Sequence, residues 1–165
     1  MAGMRALGRV SNVLVQSSAS GTIVAAGTIV ASMKNCSGIE LIAYCATANG
    51  GTVTVTAGST NAVGTAYTTA NGFGQPSIMY TQAQGVTVSS RPGTNSWVKQ
   101  TTAWSSNALP VGGSGTVTVV DFLVSELADQ YDYLGFSGSP GMQLTAIQYD
   151  LTVQRTPPNL ANAGS

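Results

Sequence analysis

Gly51-Thr52-Val53-Thr54-Val55-Thr56-Ala57 is the stretch on which the fold turns. Successive side chains of a β-strand point to opposite faces, so Val53 and Val55 share one face while Thr52, Thr54 and Thr56 share the other, as in a half-buried strand. The same period of two recurs in Gly85-Val86-Thr87-Val88-Ser89. It returns near the end of the chain, where Ile147, Tyr149, Leu151 and Val153 alternate with Gln148, Asp150, Thr152 and Gln154. Between Thr116 and Val124 the pattern changes phase: Val117 and Val119 point one way, then Val120, Phe122 and Val124 the other. That change predicts a bulge near Val119.

Turn signals separate these runs: Asn49-Gly50-Gly51, Asn71-Gly72, Arg91-Pro92-Gly93, Val111 to Gly115 and Ser139-Pro140-Gly141. Further strands are expected at Val10 to Gln16, Gly21 to Met33, Ile39 to Thr47, Ala66 to Thr69, Ile78 to Thr81 and Trp97 to Trp104. Eight to ten short strands without a long helical pattern predict an all-β chain, an antiparallel β-sandwich that is jelly-roll-like rather than immunoglobulin-like on strand count. One short helix is expected over Ser125 to Leu134, with Ser125 as cap, Glu126 and Asp129 at the positive end of its dipole, and Gly135 as its stop. The tandem Gly21-Thr-Ile-Val-Ala25 and Gly27-Thr-Ile-Val-Ala31 reads as one long or broken strand, since two copies are too few for a β-helix. The expected organisation is an N-terminal arm over 1–9, a sandwich domain over 10–155 and a Pro-containing tail over 156–165. Val53, Val55, Val117, Phe122, Ile147, Tyr149, Leu151 and Val153 form the expected core.

Composition bounds the function. The 165 residues suit one domain that buries roughly 70% of its unfolded surface. They contain no His and only 12 charged side chains, the groups from which most enzyme sites are assembled. An enzyme is therefore not expected, and neither is a cofactor. Zero net charge leaves no long-range repulsion between copies, which favours association. The zero hides a split, since residues 1–100 carry +4 and residues 101–165 carry −4. Six scattered cations do not make the basic footprint that nucleic acid requires. Cys36 and Cys45 lack the further ligands of a zinc site; they read as buried free thiols, with a cross-strand bridge as the alternative. The longest apolar stretch, Gly21 to Met33, is 13 residues with polar interruptions, too short to span a bilayer. Val13 to Val15 is too short for the apolar core of an export signal, so neither membrane insertion nor secretion is expected.

Motifs for chemistry mostly dissolve on inspection. Ser96-Trp-Val-Lys99 fits the S-x-x-K pattern of serine acyl-enzymes but lacks the helix and partner motifs that chemistry needs. Asp129 and Asp132 would share a helix face, which reads as a solvated surface. Asn35-Cys-Ser37 is a glycosylation sequon without relevance unless the chain is secreted. More informative is Arg91 to Pro110, where Trp97 and Trp104 sit among amides and cations. In a loop that mix makes a contact surface, and in strands the indoles would be core.

A small, cysteine-poor β domain rich in Gly, Ser, Thr and Ala, with an arm before its first strand and a tail after Gln148-Tyr-Asp-Leu-Thr-Val-Gln-Arg155, resembles the decoration or cement proteins of tailed-bacteriophage capsids. The resemblance implies a non-enzymatic structural protein of the virion, made in the host cytoplasm. It would assemble as a dimer or trimer on the capsid surface and clamp neighbouring major capsid protein subunits. The alternatives are a tail, neck or fibre component, and a carbohydrate-binding β-sandwich. Arg5 and Arg9 in the arm, with Trp97 and Trp104, are the expected interface residues.

Overall fold

The computed structural model describes residues 12–15, 28–46, 50–76, 78–83, 97–99, 106–112 and 115–151. Their strands are β1 (Asn12–Val15), β2 (Thr28–Ser32), β3 (Gly38–Cys45), β4 (Gly51–Gly58), β5 (Thr65–Ala66), β6 (Ile78–Ala83), β7 (Val98–Lys99), β8 (Ala108–Val111), β9 (Thr116–Leu123), β10 (Tyr133–Gly138) and β11 (Met142–Tyr149). They form a six-stranded sheet in the order β1-β11-β3-β9-β6-β7 and a five-stranded sheet in the order β2-β10-β4-β5, with β8 also on β4. Every pairing is antiparallel. With β5, β6 and β7 set aside, the remaining eight strands divide between two four-stranded layers, β1-β11-β3-β9 and β2-β10-β4-β8, and successive strands change layer except from β4 to β8. That is the strand order of a jelly roll, as the strand count predicts. The insertion between β4 and β8 supplies β6 and β7, which widen the first layer beyond β9.

The core lies between the layers. Ile39, Leu41, Ala43 and Cys45 of β3, Val120 and Phe122 of β9, and Leu144 and Ala146 of β11 meet Val53, Val55 and Ala57 of β4, Leu109 of β8, and Leu134 and Phe136 of β10, all fully buried. Tyr67 and Phe73, from the loop after β5, stack with centroids 4.6 Å apart, and Tyr67 meets Phe122 edge-on at 5.5 Å. Phe122 in turn lies 5.3 Å from Phe136, so these rings join both sheets. Cys45 fills core space as a small apolar side chain, while Cys36 is only half-buried, and the two form no disulfide.

Three local expectations are corrected. β9 carries no bulge: it pairs with β3 without interruption from Thr116 opposite Cys45 to Leu123 opposite Gly38. Its inward set is Thr116, Thr118, Val120 and Phe122, which places Val117 and Val119 on the outer face. The apparent change of phase arises because the polar residues switch faces along β9, Thr116 and Thr118 lying inward and Asp121 outward. In β11 the inward residues are Met142, Leu144, Ala146 and Gln148, so Ile147 and Tyr149 point outward. Ile147 is nonetheless buried, Tyr149 and Leu151 are half-buried, and Val153 lies outside the described residues. The strand also starts earlier than its alternation suggests, at Met142, and ends where Asp150 takes φ 51°. Asp is among the few residues that accept that left-handed geometry.

The expected helix over Ser125 to Leu134 is also absent. A single 3-10 turn spans Val124–Glu126, and Leu134 belongs to β10. Leu134 and Phe136 alternate with Gly135 and Ser137, and burying that apolar pair across the sandwich outweighs the helix-start signals of Ser125 and Glu126. Gly135 is therefore a mid-strand residue, where a side chain would strike Val63 packed over the outer face. Asp132 pairs with Lys34 at 3.0 Å rather than sharing a helix face with Asp129.

Candidate attachment face and its acid pair

The outer face of the six-stranded sheet follows from its register. One row runs Thr145, Ile42, Val119, Tyr80 and Lys99 across β11, β3, β9, β6 and β7. A parallel row runs Gln143, Tyr44, Val117 and Gln82. Ile42, Tyr44, Tyr80, Val117 and Val119 are half-buried. They form an apolar surface bearing two tyrosines, on the side of the sheet that faces away from the partner layer.

Trp97 extends this surface at its edge. Trp97 is 48% exposed and Val98 56%, two of the three large apolar side chains that stand exposed among the described residues. By strand alternation Trp97 shares the face of Lys99, which lies opposite Tyr80. Of the two readings of the tryptophans, the core one does not hold for Trp97, which is exposed. Trp104, Arg5 and Arg9 lie outside the described residues, as do the arm over 1–9 and the tail over 156–165.

A third row holds the titratable groups. Ile147, Glu40 and Asp121 stand opposite one another across β11, β3 and β9. Glu40 is 7% exposed, and burial first, then the Asp121 carboxylate, push its carboxyl up to about 7. The Tyr149 hydroxyl donates to Asp121 Oδ1 at 2.5 Å. To do so the phenol must cross over β3, and it passes at Gly38, its own register partner. A side chain at Gly38 would strike the Tyr149 hydroxyl and lie 2.7 Å from the Phe122 carbonyl oxygen, so the missing Cβ opens the route. Burial, the bond to Asp121 and the nearby carboxylates raise the Tyr149 phenol far above its ordinary range, which keeps it a donor.

In the sequence Trp97 stands out as an interface candidate, and Val117, Ile147 and Tyr149 only as core candidates. For the acid pair a signal was present: Glu40 and Asp121 are the only charged residues of β3 and β9. Among the described residues no group of three or more His, Cys, Asp or Glu is placed to hold a metal ion. No described helix is long and apolar enough to cross a membrane. No protein-family model matches this chain, and no curated protein matches it in sequence.

Proposed function

We propose that this chain is a structural attachment protein, a capsid decoration protein that docks the outer face of its six-stranded sheet onto the major capsid lattice and works without catalysis. The observation that carries this reading is that face: Ile42, Tyr44, Tyr80, Val117 and Val119, continued by exposed Trp97. Apolar and aromatic residues of this kind form the centres of protein interfaces. The jelly roll itself is shared by viral shell domains and lectins, so the fold is compatible with the role without assigning it. A rigid sandwich transmits load between neighbouring lattice subunits, and assembly as a dimer or trimer multiplies weak single contacts.

The test uses particles with and without the protein. Shells that carry it should release their DNA only under stronger heating or osmotic shock, with shell geometry unchanged. Tyr44→Ala and Trp97→Ala should each weaken attachment, by about 2 kcal/mol where the residue is a hot spot, without unfolding the domain. Equal release temperatures with and without the protein overturn the reading. Glycan binding abolished by Trp97→Ala would reassign the face to a carbohydrate ligand.

A further inference from the structure

We propose that Glu40 and Asp121 act together as a one-proton carboxyl pair that makes the seam between β3 and β9 pH-sensitive. With Glu40 protonated the outer face stays packed, and with Glu40 ionised two carboxylates oppose each other across neighbouring strands. This device belongs to the fold and does not depend on what the protein attaches to.

Geometry carries the argument. The two residues are direct cross-strand partners in the middle of a six-stranded sheet, where like charges destabilise the pair. Glu40 is buried beside Ile147, so water screens the repulsion poorly. Asp121 already accepts the Tyr149 hydroxyl, a bond that favours its ionised form. Among the described residues Tyr149 lies against the pair, and Asp150 acts on Tyr149 from just beyond the same strand; the β6 residue in register with Asp121 is Ile78, and Val13 of β1 is in register with Ile147. The neutral member is Glu40, because burial first and then the Asp121 carboxylate hold its carboxyl at about 7.

The direction follows from linkage. Because the folded chain holds the Glu40 proton more tightly than the unfolded chain, stability is greatest below the ordinary carboxylate value of 4.5 and is lost as pH rises toward about 7. The full-length protein should lose about 3 °C or more of Tm between pH 5 and pH 8 through this pair. Glu40→Gln, which is neutral at every pH, should flatten that part of the profile and melt above the unsubstituted protein at pH 8. A second measurement needs no destabilising variant. Glu40 and Glu126 are the only glutamates, so glutamate labelled at its carboxyl carbon gives two NMR titrations, assigned by Glu126→Gln. One should titrate near neutrality. Two titrations in the ordinary carboxylate range, or a Glu40→Gln profile with the same slope as the unsubstituted protein, would overturn the proposal.

Discussion

The two sheets turn very different backs to the outside. The outer face of the five-stranded sheet presents Thr28, Ser32, Thr52, Thr54, Thr56 and Ser137 with Val30, Tyr133, Ala108 and Pro110 among them, and none of its strands carries a charge. The outer face of the six-stranded sheet presents Ile42, Tyr44, Tyr80, Val117, Val119 and Ile147, with Gln82, Gln143, Thr145 and two carboxylates set among them. Small hydroxyl side chains on a strand surface satisfy themselves with water. Apolar side chains in the same position gain nothing from water, which is why the proposed docking uses the second face. Both sheets share one core, so the difference lies in their backs rather than in how the sandwich holds together.

The largest effect should come from the shared core. Phe122→Ala removes a ring packed against Tyr67 and Phe136 and should cost about 3–5 kcal/mol in denaturant unfolding. A loss below about 1 kcal/mol would mean that the inner face does not carry the fold, and the contrast between faces would collapse. Next comes the polar row of the outer face. Tyr149→Phe deletes the hydrogen bond to Asp121 and should cost about 1–2 kcal/mol at neutral pH. No measurable loss would show that the tyrosine lies on the acid pair without holding it.

Thr118 sharpens the comparison from the inside. It is an inward residue of β9, fully buried, and its hydroxyl has no hydrogen-bond partner. Thr118→Val keeps the shape and removes the orphan group, so the protein should gain about 1 kcal/mol. A loss instead would show that the hydroxyl is satisfied in solution. The smallest stability effect is expected on the apolar back. Val117→Thr and Val119→Thr should each change stability by no more than about 0.5 kcal/mol while lowering attachment to the lattice. A large stability loss at either position would make that face part of the protein's own core rather than a docking surface.

How much of this was legible in the sequence depended on whether one face of a strand was polar. In β4 the threonines mark the outer face, and alternation alone places Val53 and Val55 in the core. In β9 and β11 it does not. Thr118 is buried inward while Val117 and Val119 face out, and Gln148 is buried inward, its side-chain amide donating to the Ser32 carbonyl at 2.5 Å, while Ile147 and Tyr149 face out. Trp97 was legible as a candidate interface residue because an indole in a polar, turn-rich segment is conspicuous, and it stands exposed. Tyr44, Val117 and Val119 were not, because apolar residues in a strand look like core residues from sequence alone.

By itself the sequence determined the all-β class, four of the turn positions, the antiparallel sandwich and the scarcity of catalytic groups, because each rests on local periodicity, turn chemistry or composition. The left-handed backbone at Gly50, Gly72, Gly115 and Gly141 falls within four of its turn signals. Only the tertiary structure decided which phase of β9 and β11 faces the partner sheet, turned Leu134 and Phe136 from a helix into a strand, and brought Glu40, Asp121 and Tyr149 together. Those outcomes depend on strands that are neighbours in space and distant in the chain. A period of two says that side chains alternate, but only the partner layer says which side is in.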